Sequence, residues 1–375
     1  MPYNFIMIEI IDTGILYSNP VPHLKSIHAY FPSVAQMQNG NLIAVFSLGE
    51  AFEAINLHTH YGFSSDNGKT WQRVRRLPVR VKNKLTSDAS RITITPDGQL
   101  AILVCVYDRT LHKNEGLTNP ETLGFVPTRF FIIRSYNMGK TFSKPQPLNT
   151  PITGPCFELC SPIVITSNGT WIVPTSTWKA WNGVCPFGMK AVALISHNQG
   201  RSWQNYSIVM DAYEKQVVFW ESKIMEMPDK RLIAVAWAQD LKNNKTLPNH
   251  FSISRDNGKI WSKPQSTQIY GQTLTPIPLS DGKILSVYRR MDKPGLWANI
   301  SMIEKDKWLN IYEMPLWGNN LKNLTANTKN PSTDFHFLKF GAPSMIRLKN
   351  GLLFLAFWCY ENCISIIRWF TIKET

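Results

Sequence analysis

The stretch Ser64-Ser65-Asp66-Asn67-Gly68-Lys69-Thr70-Trp71 decides the fold, because its pattern occurs four times in the chain. The other copies begin at Ser135, Ser196 and Ser254, so successive first serines lie 71, 61 and 58 residues apart. Each copy reads Ser-x-Asx-x-Gly-x-(Thr, Ser or Ile)-(Trp or Phe). An Asx side chain that caps backbone N–H groups, followed by a glycine that tolerates positive φ, is typical of a hairpin turn, and the closing aromatic residue can pack beneath it. Repetition at this long interval predicts a set of similar units.

A second repeat alternates with the first and consists of two apolar strands joined by a turn, usually Asx-Gly. Each instance reads as a β-hairpin, because the turn needs positive φ and the arms are apolar or alternating. Six such hairpins predict six blades, with strands A and B joined by this turn and strands C and D joined by the Ser-x-Asx-x-Gly motif. The six turns are Asn39-Gly40, Asp97-Gly98, Asn168-Gly169, Asp229-Lys230, Asp281-Gly282 and Asn350-Gly351.

The last unit contains only three strands before the chain ends, predicted at Ser344–Leu348, Leu352–Trp358 and Ile364–Phe370. We expect Phe5–Ile11 to supply the fourth, because pairing the two chain ends removes exposed sheet edges. We therefore predict that residues 1–375 form a single all-β, six-bladed propeller of four-stranded antiparallel blades.

Composition limits the classes of function and compartment. The net charge is +14, and lysine and arginine occur along the whole chain, so we interpret the charge as a solvated basic surface, with attraction to an acidic polysaccharide as the alternative. No nucleic-acid-binding signature, membrane helix or signal peptide is visible, so the compartment is unknown and cytoplasmic by default. We expect the six cysteines to be free thiols, with a Cys359–Cys363 bridge as the alternative, and we expect neither a metal nor a cofactor.

The four motifs resemble the Asp-box, or BNR repeat, of the sialidase (neuraminidase) superfamily. In that family the boxes lie on outer hairpins of propeller blades, far from the active site. The resemblance therefore implies the fold over nearly the whole length of the chain and gives the boxes a structural role.

The site is expected where the start of strand A meets the end of strand B around the central channel. Counting from the hairpin turn gives comparable positions in blades one to six. Ten residues before the turn they are Tyr30, Asp88, Leu159, Trp220, Gln272 and Gly341; nine before, Phe31, Ala89, Cys160, Glu221, Thr273 and Ala342; seven after, Ser47, Cys105, Ser176, Trp237, Arg289 and Trp358.

Sialidases use three arginines, a tyrosine nucleophile assisted by a glutamate, and an aspartate acid/base. Glu221 matches the glutamate of that set in type and spacing. The first two arginines fall on Tyr30 and Trp237, and the tyrosine falls on Ala342. Since planar arginine forks cannot be replaced by aromatic rings without loss of charge-assisted bonds, we do not expect exo-sialidase activity.

Glycoside hydrolysis still needs only two suitably placed carboxyl groups. The catalytic candidates are Glu221, Asp88 and Glu53, each with a structural alternative: an ion pair for Glu221, a capping role for Asp88 and a solvated loop position for Glu53. The expected substrate-binding residues are Arg289, Tyr30, Trp220, Trp237, Gln272, His28 and Glu50; Trp358 and His336 are further residues that can reach the same face.

We therefore predict a sialidase-like glycoside hydrolase acting on a non-sialic glycan, in particular an acidic one that carries uronate or sulfate. The glycan is the expected partner. The alternatives are a carbohydrate-binding propeller without catalysis and a polysaccharide lyase, because a fold does not determine its function.

Overall fold

A computed structural model describes residues 7–152, 156–290, 292–321, 324 and 337–375. Its strands form six antiparallel sheets arranged as blades, and one short 3-10 helix lies at Tyr213–Lys215. The first strand, β1 (Ile8–Tyr17), belongs to the last blade. Blade one contains β2 (His28–Gln36), β3 (Leu42–Gly49), β4 (His58–Ser64) and β5 (Gln72–Arg76). Blade two contains β6 (Thr86–Ile94), β7 (Leu100–Asp108), β8 (Thr128–Ser135) and β9 (Gln146–Pro147).

The remaining blades follow in chain order. Blade three contains β10 (Cys156–Phe157), β11 (Val164–Ile165), β12 (Trp171–Trp178), β13 (Ala191–Ser196) and β14 (Asn205–Met210). Blade four contains β15 (Val217–Glu226), β16 (Leu232–Asp240), β17 (Lys245–Ser254) and β18 (Gln265–Ser266). Blade five contains β19 (Gly271–Pro278), β20 (Ile284–Arg290), β21 (Leu296–Glu304) and β22 (Lys307–Trp317), and blade six contains β23 (Phe340–Arg347), β24 (Leu353–Glu361) and β25 (Ile364–Glu374) with β1.

The chain is thus a six-bladed β-propeller, and its closure by the N-terminal strand is confirmed. β1 pairs antiparallel with β25, with Ile8 opposite Glu374 and Tyr17 opposite Ile367. The paired strand is longer than the predicted Phe5–Ile11, and residues 1–6 lie outside the described residues. All six cysteines are free. Among the described residues no helix is long and apolar enough to cross a membrane.

Each Ser-x-Asx-x-Gly motif forms the turn between strands C and D, as predicted, with the same hydrogen bonds in every copy. In the first, Gly68 N donates to Ser64 Oγ at 2.8 Å and Thr70 N donates to Asp66 Oδ1 at 2.9 Å. The corresponding bonds in the other three copies measure 2.8–2.9 Å. The serine and Asx side chains of each motif therefore bind backbone N–H groups of the turn itself.

Candidate functional site

The channel face of the propeller is shaped by a bulge in strand A of four blades. At each bulge the strand pairing shifts, because two residues of strand A lie opposite a single residue of strand B. At the bulge Phe31, Glu221, Thr273 and Ala342 have φ of 54°, 54°, 56° and 46°, and all four lie nine residues before the AB turn. Non-glycine residues in this region store about 1–3 kcal/mol of strain each and cluster at functional sites.

Two carboxylates stabilise consecutive bulges and thereby meet at the channel. Glu221 N donates to Glu158 Oε2 at 2.8 Å, and Thr273 N donates to Glu221 Oε2 at 2.5 Å. Each glutamate thus accepts the N–H that the bulge of the next blade turns toward it. Both glutamate residues are partly exposed, and Glu221 Oε1 accepts no hydrogen bond from the described residues.

Cys160 completes a compact cluster with this pair. Its Sγ donates to Glu158 Oε1 at 3.1 Å, and one ligand-type atom from each of Glu158, Cys160 and Glu221 lies within 4.8 Å of the others. Burial, together with the nearby charge of Glu221, raises the pKa of Glu158 to about 7. Burial likewise raises the pKa of the Cys160 thiol. The cluster therefore contains a carboxyl group that holds its proton to higher pH than an ordinary glutamate does.

Arg91 and Lys223 place two cations beside the carboxylates. Both are about nine-tenths buried, with exposed fractions of 7%, and both interact electrostatically with Glu158 and Glu221. Burial lowers the pKa of Lys223 to about 8. Two cations disfavour a third, so we regard the cluster as an acid pair rather than a metal site. The acceptors of Arg91 are the carbonyl oxygens of Ser90, Phe31 and Cys160, and those of Lys223 are Thr273 O and Thr275 Oγ1.

Arg91 Nη2 is available for a ligand. Its Nε and Nη1 make the three bonds to carbonyl oxygens, whereas Nη2 has no acceptor among the described residues. A guanidinium fixed by two of its nitrogens presents the third in a set direction, which suits a hydroxyl or carboxylate oxygen.

Aromatic side chains occupy the blade-one and blade-six side of the channel. Tyr30 is fully buried and its hydroxyl lies 2.9 Å from that of Tyr360. The ring of Phe52 lies 5.1–5.4 Å from those of Tyr30, Phe31 and Trp358. Tyr30, which stands where the resemblance to sialidases would place the first arginine, is therefore part of an aromatic cluster. The site has a charged side and an apolar side.

Asp88 lies on another network. It is 2% exposed. Thr59 N donates to its Oδ1 at 2.7 Å, and His58 Nδ1 lies 2.7 Å from its Oδ2. Its carboxylate therefore joins blade two to strand C of blade one.

Glu53 is held by the loop that follows strand B of blade two. Burial raises its pKa to about 7, against the opposing effects of the Leu117 N–H and Arg109. Arg109 also donates to the Glu53 carbonyl oxygen at 2.9 Å. The structure thus surrounds Glu53 with residues of the 109–117 loop and pairs Glu221 with Glu158.

Arg289 and Gln272 contact each other. Arg289 Nε donates to Gln272 Oε1 at 3.1 Å, and Nη1 donates to Phe340 O at 3.1 Å. With 4% of its surface exposed, this arginine links blade five to blade six.

Trp220 and Trp237 pack between blades three and four. They are 3% and 6% exposed, and their ring centroids are 4.8 Å apart; Trp178 lies 4.4 Å from Trp220. Their rings are covered by one another, so little aromatic face remains for a sugar in this structure.

His28 and Glu50 are the remaining described residues proposed to bind substrate. His28 Nδ1 accepts a hydrogen bond from Ser365 N at 3.0 Å, which assigns the ring proton to Nε2. Glu50 is exposed and lines a groove of about 770 Å³ with Leu24 and His60. His336 lies outside the described residues.

Glu158 is the site residue that the sequence analysis missed. It lies eleven residues before the AB turn of blade three, whereas the comparison used positions ten and nine. Strand A is interrupted here, because β10 ends at Phe157 and β11 begins only at Val164. A register counted along a continuous strand could not place the intervening side chains. The acidic residue two positions before Cys160 was the available signal.

Comparison with known proteins identifies the family. Residues 114–353 match the BNR repeat-like domain family, which is more than half of the chain. The chain belongs to this family. Comparison with curated proteins gave no match by sequence.

Solved structures place this BNR repeat-like protein among sialidase-like propellers. A Dyadobacter fermentans protein of unknown function superposes with a TM-score of 0.73 at 18% identity, covering 98% of this chain and 99% of that one. The K499G mutant of NanB sialidase from Streptococcus pneumoniae superposes with a TM-score of 0.61 at 13% identity, covering 93% of this chain and 69% of that one. The intramolecular trans-sialidase from Ruminococcus gnavus, in complex with oseltamivir carboxylate, superposes with a TM-score of 0.60 at 15% identity, covering 92% of this chain and 94% of that one. At these identities the likeness shows the fold.

Proposed function

We propose that this protein is a glycoside hydrolase that acts on a non-sialic glycan through Glu158 and Glu221. The observation that carries the proposal is the pair itself: two partly exposed carboxyl groups at the channel, with oxygens within 4.8 Å of each other. Family membership supports a carbohydrate-related role. Glu158 replaces Asp88 and Glu53 as the partner of Glu221, because those two residues are bound in other networks.

The environments of the two carboxyl groups suit different roles. Glu158, whose pKa is raised to about 7, is the general acid that protonates the leaving-group oxygen. Glu221, with which Arg91 and Lys223 interact more strongly than with Glu158, is the carboxylate that attacks the anomeric carbon as the glycosidic C–O bond breaks. Retaining enzymes hold their two carboxyl groups about 5–5.5 Å apart and inverting enzymes about 6.5–9.5 Å apart; oxygens of Glu158 and Glu221 that lie within 4.8 Å of each other fit the shorter range.

The second half of the reaction returns the enzyme to its starting state. Glu158, now deprotonated, removes a proton from water, and the water oxygen attacks the anomeric carbon and displaces Glu221. The proton stays on Glu158, so that each carboxyl group recovers its original form. Arg91 Nη2 is the donor that we assign to a hydroxyl or carboxylate of the bound sugar.

A hydrolysis screen tests the proposal. Oligosaccharides ending in neutral, uronic or sulfated sugars are incubated with the wild type, and new reducing ends are measured together with ultraviolet absorbance, which detects the unsaturated product of a lyase. On any glycan that is cleaved, Glu158→Gln and Glu221→Gln are each expected to lower kcat by at least about 10²-fold, whereas Glu304→Gln, at an exposed position, retains it. Full activity in Glu221→Gln would refute the assignment.

The second candidate is a carbohydrate-binding propeller without catalysis. The observation that favours it is that Glu158 and Glu221 already accept backbone N–H groups from two strained bulges, which gives both carboxylates a structural reason to be present. This alternative predicts glycan binding without release of reducing ends at any enzyme concentration.

A further inference from the structure

The outer edge of blade one concentrates basic residues without acidic ones. Residues 69–84 contain seven lysines and arginines and no aspartate or glutamate. All seven are exposed. Lys84 pairs with Asp108 at 2.8 Å, and the other six have no ion-pair partner among the described residues. The seven are Lys69, Arg73, Arg75, Arg76, Arg80, Lys82 and Lys84.

Protection of a sheet edge does not by itself explain this charge. β5 is the outermost strand of its blade, and charged side chains on such edges discourage aggregation. The outermost strands of the other five blades nevertheless carry few charges: β9, β14 and β18 have no basic residue, β22 has one lysine, and β1 has two acidic residues and no basic one. Blade one is therefore exceptional within the same molecule.

The basic strand also borders a cavity between blades one and two. This cavity has a volume of about 330 Å³ and no acidic residue in its lining. Arg73 and Arg75 line one side, and Lys140 from the second Asp-box lines the other. Amide and hydroxyl groups, including Asn39 and Ser65, complete the wall, so an anion there would find both charge and hydrogen-bonding partners.

The charges form a path from this cavity toward the channel face. The cavity lies among the AB turn and the Asp-box hairpins, at the end of the blades away from the channel site. From β5 the chain continues through Arg80 and Lys82 to Leu85, whose carbonyl accepts a hydrogen bond from Arg109 N in the loop after strand B of blade two. The segment turns at Lys82 and Asn83, where Lys84 N donates to Val81 O at 3.3 Å, so its charges cover an area of surface that a polymer with many charges can contact.

We propose that this basic path, residues 69–84 with Lys140, binds an anionic polysaccharide at a surface separate from the channel. A polysaccharide is favoured over single-stranded nucleic acid because proteins that bind the latter stack bases on aromatic rings. None of the exposed residues of 69–84 is aromatic, and Trp71 is partly buried with its indole N–H donating to Gly68 O at 2.8 Å. The proposal does not depend on catalysis in the channel.

Binding of the intact protein to three probes tests the proposal: polygalacturonate, dextran sulfate and uncharged dextran. The two anionic polymers are expected to bind at low salt and to weaken steeply as salt rises, and dextran is not expected to bind. Arg73→Gln/Arg75→Gln/Arg80→Gln should lower the affinity for polygalacturonate by about tenfold or more. The matched control, Lys245→Gln/Lys259→Gln/Lys263→Gln, removes the same charge from exposed residues elsewhere and should change it by less than about twofold.

The outcomes separate the possibilities. Equal losses in the two triple variants would mean that net charge alone drives binding, and the proposal would be wrong. It would also be wrong if a single-stranded oligonucleotide bound more tightly than polygalacturonate through the same arginines. Thermal unfolding of both variants verifies that each is folded. If the hydrolysis screen finds a glycan that is cleaved, both triple variants are expected to keep wild-type turnover of it, because the basic path is separate from the channel.

Discussion

Replacing Asp88 with alanine should destabilise the propeller strongly, because this carboxylate is both buried and hydrogen-bonded. It is 2% exposed, accepts Thr59 N at 2.7 Å and lies 2.7 Å from His58 Nδ1. Hydrogen bonds to a charged group contribute about 1.5–3 kcal/mol each. Because Asp88→Ala removes two such bonds, we expect the free energy of unfolding to fall by about 3–5 kcal/mol.

Urea unfolding of Asp88→Ala, His58→Ala and the double variant measures this effect. The double-mutant cycle should give a coupling energy of about 1–3 kcal/mol between the two side chains. Glu304→Ala, at an exposed position, should change stability by less than about 0.5 kcal/mol. A loss below about 1 kcal/mol in Asp88→Ala would refute the reasoning, and normal stability combined with lost turnover would return Asp88 to the catalytic set.

Two further predictions concern the pH dependence of stability and the Asp-box. The pKa of Glu158 in the folded protein, about 7, lies above its ordinary value of 4.5, so the native state binds more protons between these values and stability should fall as pH rises from 4.5 to 7. Glu158→Gln removes this contribution. The free energies of unfolding at pH 5 and pH 7.5 should therefore differ less in this variant than in the wild type, and an equal difference would contradict the raised pKa. Asp66→Ala removes the acceptor of the Thr70 N–H and hydroxyl groups and should lower the melting temperature through a loss of about 1–2 kcal/mol. Ser65→Ala, exposed in the same turn, is the control, and equal effects of the two changes would argue against the capping role.

The architecture was predictable because turn chemistry is local. Gly68 and its equivalents need positive φ, and Ser64 and Asp66 bond to backbone groups within four residues. The turn that each box forms can therefore be predicted from the residues of that box alone. Closure by the N-terminal strand was predictable from the missing fourth strand of blade six. Both inferences needed only local pattern and the count of strands.

The site was less predictable because its geometry depends on strand irregularities that leave no signature. Thr273 and Ala342 adopt positive φ, although glycine and asparagine are the residues that usually signal it. The bulges decide which side chains enter the channel. In blade three the interruption between β10 and β11 brought Glu158 beside Glu221, and no count along a regular strand could have placed it.

Azide rescue provides the most direct test of the central claim, that Glu221 attacks the sugar while Glu158 supplies the proton. Glu221→Gly should lose turnover of a cleaved glycan, and added azide should restore consumption of a substrate with a good leaving group by forming a glycosyl azide that mass spectrometry detects. Glu158→Gln should lose most activity on poor leaving groups and much less on good ones. If Glu221→Gly retains hydrolysis, or if no glycosyl azide forms although the wild type cleaves the same substrate, the assignment of Glu221 is contradicted.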